Sequence, residues 1–175
     1  TCASRVFVHE SLMDRFSEKL VSTLKGIRIG HPLDDGVFMG PVISNCAAEK
    51  IARFRELSRE TSGERILDIS LDLPSPYVAP GLMRFQNTTQ DHPYQRDEIF
   101  GPEAALYPIT DLEHAISAVN DSDYGLAASV FTPERRKYEY AMGRIRTGLL
   151  NWNKGTTGAS GKLPFGGLGK SGNDR

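Results

Sequence analysis

At 175 residues, 39% hydrophobic and 25% charged, the chain is long enough to bury one hydrophobic core of its own. A net charge of −1 supplies no field to draw a nucleic acid or a membrane surface, and no run approaches the ~18 apolar residues of a membrane span. Two cysteines (Cys2, Cys46) and four scattered histidines (His9, His31, His92, His114) give neither a disulfide framework nor metal-ligand spacing, so no metal is expected. A reducing cytoplasm fits that usage, and the first residues lack the design of a signal peptide.

Strand-like and helix-like segments alternate, which predicts an α/β fold with a largely parallel sheet flanked by helices. Residues 5–8 read as a short buried strand. Ser11 then opens a helix, with Asp14 as its capping-box partner. Leu12, Phe16, Leu20 and Leu24 form its face, with Met13 and Val21 beside them, and Gly26 ends it. After a Gly/Pro/Asp-rich loop over 30–41, Ser44 starts a second helix whose stripe is Ala47, Ala48, Ile51, Phe54 and Leu57, finished by Gly63. Short strands follow at about 65–69 and 77–79, with an extended piece near 82–85 and a polar loop from Gln86 to Pro102.

Ala104 to Ile109 reads as a strand, and Thr110 with Glu113 as the capping box of a helix that turns Leu112, Ala115, Ile116 and Val119 inward. Ala127 to Phe131 is a strand. Thr132 caps a last helix with Pro133 in its first turn and Tyr138, Ala141, Met142 and Ile145 inward; Glu134, Arg135 and Arg136 make its exposed face. Gly148 to Trp152 is the final strand, and the rest is loop. No repeat or linker interrupts the chain, so residues 1–175 read as a single domain. The start at Thr1 and the stop just past a Gly-rich loop both read as cut ends.

Three segments have compositions that ordinary packing does not call for. Pro164-Phe165-Gly166-Gly167-Leu168-Gly169-Lys170, followed by Ser171-Gly172, makes a tight, backbone-exposed turn that holds an aromatic ring. Asp97-Glu98-Ile99-Phe100-Gly101-Pro102 sets a carboxylate and a ring ahead of a Gly-Pro stop. Asn120 precedes Tyr124-Gly125-Leu126-Ala127. A carboxylate can accept both hydroxyls of a ribose and a ring can pack on a nicotinamide; Glu98 and Phe100 equally fit a surface Glu and a core Phe before a turn. Lys154, Thr156, Thr157 and Ser160, with the amides of Gly155 and Gly158, can make a carboxylate nest or a plain solvated loop. Cys2 is either an assisting thiol or a small packed residue, and Cys46, at a helix start, is structural.

In this order and at these separations the motifs resemble the C-terminal part of the aldehyde dehydrogenase superfamily, over essentially all 175 residues. That resemblance gives Glu98 the nicotinamide ribose, Phe100 the nicotinamide ring, and Phe165 the wall of the aldehyde tunnel. It makes the loop with Lys154, Thr156, Thr157, Gly158 and Ser160 the anion anchor of members that take carboxylate-bearing aldehydes. The family nucleophile stands five residues before the Arg that opens the next strand, here Arg5, and so falls one residue before Thr1; Cys2 matches the second thiol of a Cys-Thr-Cys turn. A cysteine thiolate, a glutamate base and a dinucleotide-gripping segment, all upstream, complete the implied mechanism. The chain by itself is then inactive and does not hold NAD or NADP tightly. Its implied partners are a small aldehyde, the remainder of one polypeptide and further copies in a homo-oligomer.

Within the superfamily, Asn-Trp-Asn-Lys, Thr-Gly-Ala-Ser, Pro-Phe-Gly-Gly, Ser-Gly-Asn and the Thr-Cys-Ala start are similar to the branch that oxidises N-succinylglutamate 5-semialdehyde in arginine catabolism. One departure is Glu103 after Gly101-Pro102, where the family usually has an apolar residue. The alternative readings are an oligomerisation or binding module without catalysis, and a dehydrogenase for another semialdehyde.

Overall fold

Alternation of short apolar strands with amphipathic helices produces the α/β fold that the sequence pattern predicts. The computed structural model describes residues 2–158, 161–162 and 164–172. Their contacts divide into two compact units, one formed by Val8–Pro108 and the other by Thr1–Phe7 with Ile109–Arg175.

The Val8–Pro108 unit follows β1 (Arg5–His9) with a 3-10 turn (Glu10–Leu12) and α1 (Met13–Lys25). The helix therefore starts one residue later than a cap at Ser11 predicts. Ser11 caps nothing; its amide donates to His9 Nδ1 (3.3 Å), and no side chain caps α1. The tighter 3-10 turn also shifts the apolar stripe. Met13 and Ser17 are buried, Ser17 Oγ donating to the Met13 carbonyl at 2.7 Å, while Leu12 and Phe16 are exposed. Gly26 ends α1 as expected.

Ser44 caps α2 (Asn45–Ser58) by accepting from the Ala47 amide at 3.1 Å, and Ile51 and Phe54 turn inward. β2 (Glu64–Leu67), β3 (Gly81–Arg84) and β4 (Glu103–Ile109) complete a sheet in the order β1-β4-β3-β2. No strand forms at 77–79. Tyr77 donates its amide to the Pro74 carbonyl in a turn, and Pro76 and Pro80 have no amide to give a ladder. A short α3 (Pro93–Arg96) interrupts the expected loop before β4, its first free amide, Tyr94 N–H, donating to His92 Nδ1. The core is Ile51, Leu67, Leu82, Met83, Phe85, Leu106 and Tyr107, with the Phe85 and Tyr107 rings stacked 5.0 Å apart.

The other unit contains α4 (Leu112–Asn120), β5 (Tyr124–Gly125), β6 (Ala127–Val130), α5 (Arg135–Met142), β7 (Leu149–Trp152) and β8 (Leu168–Gly169). Asp111, not Thr110, caps α4, its Oδ1 accepting from the His114 amide at 2.7 Å. That bond holds the Asp111 carboxyl below its ordinary range. Thr132 sits too early to cap α5; its hydroxyl accepts from the Glu134 amide, and Met142 faces out while Ala141 is buried. Pairing within the sheets is mixed: β3–β4 and β6–β7 run parallel, β2–β3 and β5–β8 antiparallel. The β5–β8 ladder uses Leu168 and Gly169 of the glycine-rich segment, where the sequence suggests only loop.

That segment passes so close to the start of β7 that a Cβ on Gly148 would lie 1.6 Å from the Gly166 carbonyl oxygen. No side-chain rearrangement removes a clash with main chain. Gly148→Ala is therefore expected to destabilise by about 2–3 kcal/mol, the scale of overpacking. Gly143→Ala, where a Cβ meets nothing within 4 Å, should stay within about 0.5 kcal/mol of the parent. Urea midpoints compare the two; equal values would show that the close approach is absent in solution.

Candidate functional site

The site residues named from sequence fall in both units, and each group is built differently. In the Val8–Pro108 unit, Glu98 and Phe100 occupy the loop between α3 and β4, both exposed. Phe100 does not belong to the core: the residue is 78% exposed and its backbone has φ 58°, a left-handed conformation unusual for a bulky residue. Such backbone costs about 1–3 kcal/mol and persists where its surroundings over-determine it. Lys50 of α2 is one such constraint. Its Nζ donates to the Glu98 carbonyl at 3.0 Å and stands 5.6 Å from the ring centroids of both Phe54 and Phe100. A lone Lys one position before Ile51 gives no sign of this role in sequence.

Behind the loop lies Glu103, the departure from the family pattern. Its side chain is 1% exposed. Burying a carboxylate alone costs several kcal/mol, and here two guanidinium groups offset that cost. Arg55 Nε donates to Oε1 at 2.6 Å and Arg65 Nη1 lies 3.4 Å from Oε2, while the Tyr94 hydroxyl donates to Oε2 at 3.0 Å. Arg55 Nη2 also holds the Ala79 carbonyl at 2.6 Å, and Arg65 Nη2 the Ser58 hydroxyl at 2.9 Å. The carboxylate fits because its partner in the β3–β4 register is Gly81, where a Cβ would lie 2.2 Å from Glu103 Oε1. Burial, then the Glu103 carboxylate, raise the Tyr94 pKa above its ordinary value, so the phenol remains a proton donor.

In the other unit, the loop after β7 is tied down at its start. Asn153 has φ 51°, its Oδ1 accepts from the Thr132 amide (2.9 Å) and its Nδ2 donates to the Thr132 carbonyl (3.0 Å). Trp152 Nε1 donates to the same carbonyl at 2.9 Å and its ring stacks on Tyr138. The Ser129 hydroxyl donates to the Lys154 carbonyl, and Asn151 Nδ2 to the Gly155 carbonyl at 2.8 Å. With those carbonyls engaged, the Lys154 ammonium and Thr157 hydroxyl stand at the surface near Gly158, and Thr156 is half-buried. Ser160 lies outside the described residues. Phe165 is 54% exposed and Cys2 is exposed. Arg5 fastens the chain just after Cys2 by donating to the Ala118, Val119 and Asp121 carbonyls at the end of α4, where a helix favours a cation.

Among the described residues no group of three His, Cys, Asp or Glu side chains is placed to hold a metal, and no helix is long and apolar enough to cross a membrane. A polar cleft of about 460 Å³, lined by residues that include Glu60, Asn87, Asp91 and His92, contains none of the candidate site residues. Sequence reasoning missed Lys50, Tyr94 and the Thr132–Asn153 pair. All act through contacts that local spacing does not show, 48 positions apart for Lys50 and Glu98, 21 for Thr132 and Asn153, and nine for Tyr94 and Glu103.

The profile of the aldehyde dehydrogenase family matches residues 1–175. N-succinylglutamate 5-semialdehyde dehydrogenase of Erwinia tasmaniensis is 36% identical over the whole chain, which covers 36% of that protein. Succinic semialdehyde dehydrogenase of Streptococcus pyogenes, solved with NADP+, is 30% identical with a TM-score of 0.89 over 97% of this chain and 37% of its own. Aldehyde dehydrogenase 21 of Physcomitrella patens, solved with the reaction product succinate, is 27% identical with a TM-score of 0.88, covering 97% of this chain and 34% of its own. The chain thus spans about a third of the length of the curated relative it matches.

Asn153 offers a direct check on the loop anchor. Asn153→Ala removes both bonds to Thr132 and leaves a Cβ in left-handed backbone, an expected loss of about 1–2 kcal/mol for a partly exposed pair. Asn153→Gly loses the same bonds but relieves the backbone, so it should fall between Ala and the parent in urea unfolding. An Ala variant as stable as the parent would contradict this account of the anchor.

Proposed function

The chain belongs to the aldehyde dehydrogenase family, and we propose that it carries the nicotinamide-facing loop and the aldehyde-facing loop of an enzyme that oxidises a carboxylate-bearing semialdehyde to the acid with NAD or NADP. The proposed substrate is N-succinylglutamate 5-semialdehyde, as in arginine catabolism, in keeping with the name of the relative at 36% identity. The observation that carries this reading is Phe100, an exposed ring held at φ 58° two residues from an exposed carboxylate.

The chemistry of that pair fits the cofactor. A carboxylate accepts from two adjacent ribose hydroxyls, and a ring supplies a flat apolar surface to one face of a nicotinamide. When bound, the nicotinamide supplies the hydride acceptor. Glu98 then fixes the ribose, Phe100 limits the tilt of the ring, and Lys50 holds the Glu98 main chain. In the other unit, Lys154, Thr156, Thr157, Gly158 and Ser160 receive the remote carboxylate of the substrate, and Phe165 lines the path of its aldehyde end. The mechanism needs a nucleophile and a base as well; neither role is assigned to any residue of this chain, and Cys2 remains an accessory thiol. Homo-oligomers complete the proposal.

A shorter acidic semialdehyde is the second reading, favoured by the likeness to a succinic semialdehyde dehydrogenase. Both readings require an anion anchor that neutral aldehydes do not use. In the active enzyme containing this chain, kcat/KM for succinylglutamate semialdehyde should exceed that for hexanal by at least about 10-fold, and Lys154→Met with Thr157→Val should raise KM for the acidic substrate about 10-fold, taking ~1.5–3 kcal/mol per charged hydrogen bond. Equal kcat/KM for the two aldehydes would contradict the proposal; a higher value for succinic semialdehyde would favour the second reading.

A further inference from the structure

Tyr94 and Glu103 stand on either side of the loop that carries Glu98 and Phe100, and their side chains meet beneath it. The Tyr94 hydroxyl donates to Glu103 Oε2 at 3.0 Å, joining positions nine apart in the chain. Both residues are buried, Tyr94 4% and Glu103 7% exposed. Each is also held from its own side. Tyr94 sits in α3, where the Asp97 amide closes the turn on the Pro93 carbonyl at 2.9 Å. Glu103 is gripped by Arg55 of α2 and Arg65 of β2.

The main chain repeats the closure: the Glu103 amide donates to the Gly101 carbonyl at 2.8 Å, and the Gly81 amide to the Pro102 carbonyl at 2.8 Å. Between these fixed ends Phe100 keeps a backbone conformation that a loose loop would abandon. Elevation of the Tyr94 pKa, by burial and by the Glu103 carboxylate, keeps the donor protonated. A structural ion cluster needs only Arg55 and Arg65 around Glu103. The phenol adds a bond that ties the far end of the loop to the cluster.

We infer that the Tyr94–Glu103 hydrogen bond clamps the base of this loop and so sets where the Glu98 carboxylate and the Phe100 ring stand when the nicotinamide cofactor binds. Tyr94 and Glu103 are positioning residues that touch neither cofactor nor substrate. The inference rests on the reading of Glu98 and Phe100 given above.

The test is a double-mutant cycle on hydride transfer, followed as single-turnover formation of the reduced cofactor in the active enzyme containing this chain. Tyr94→Phe removes one hydroxyl and leaves Glu103 its two arginines. It should slow hydride transfer about 10-fold with KM for the aldehyde unchanged, since small misplacements of a reacting group carry large rate costs. Glu98→Gln should also slow it, and the double variant should lose less than the product of the two single effects, because both act on the placement of one loop. Glu103→Asp keeps the charge but withdraws it from the phenol, and should reproduce the Tyr94→Phe signature. If Glu98→Gln slows the step while Tyr94→Phe does not, or if the two effects multiply, the clamp is overturned and the site reading stands. If Glu98→Gln has no effect, the site reading fails and the clamp with it. Failure of both Tyr94→Phe and Glu103→Asp to fold would make the bond a requirement of the fold, which overturns the inference as well.

Discussion

A carboxylate buried between two guanidinium groups constrains the Val8–Pro108 unit more than any other single feature. Burying the Glu103 carboxylate is costly unless Arg55 and Arg65 reach it, so α2, β2 and β4 are held in one arrangement. Arg55 extends the same constraint to the Ala79 carbonyl, just ahead of β3, and Gly81 leaves the space the carboxylate fills. Tyr94 brings in α3. The exposed loop between α3 and β4 therefore begins and ends on a rigid base, which is what allows an aromatic ring to be presented to solvent on strained backbone.

The other unit reaches rigidity by different means. Main chain packs on main chain where Gly148 meets Gly166, and polar side chains bind main-chain groups where Asn153 and Trp152 enclose Thr132. Neither device buries charge. Both leave exposed side chains, Phe165 on one segment and Lys154 and Thr157 on the other, on backbone that is already fixed. Loops of this kind suit recognition because binding then orders few residues.

Much of the fold was legible in the sequence, and the exceptions share a cause. Strong periodic stripes with a good cap, as in α2 after Ser44, were readable, as were the strand over residues 104–109 and the stop at Gly26. Caps were misread wherever two polar residues competed: Asp111 took the role expected of Thr110, and His9 engaged the amide of Ser11. Local spacing does not decide which of two neighbouring acceptors an amide will find. The β5–β8 ladder was missed because Gly-rich sequence has no strand pattern; it pairs because a neighbour approaches closely. At the site, motif order identified Glu98 and Phe100 as candidates, whereas Lys50 became visible only when a distant segment met the loop, and Tyr94 only when the loop closed on itself. Glu103 looked like an anomaly in the motif, and its partners, 38 and 48 residues upstream, make sense of it.

Placement of the nicotinamide by the Glu98–Phe100 loop is the claim on which the functional account turns. A crystal structure of the active enzyme containing this chain, with NAD or NADP bound, measures it directly. The expected result is the Glu98 carboxylate within about 3 Å of both nicotinamide-ribose hydroxyls, an ordinary hydrogen-bond distance, with the Phe100 ring against the nicotinamide. A ribose held by other residues, with Glu98 turned to solvent, would contradict it.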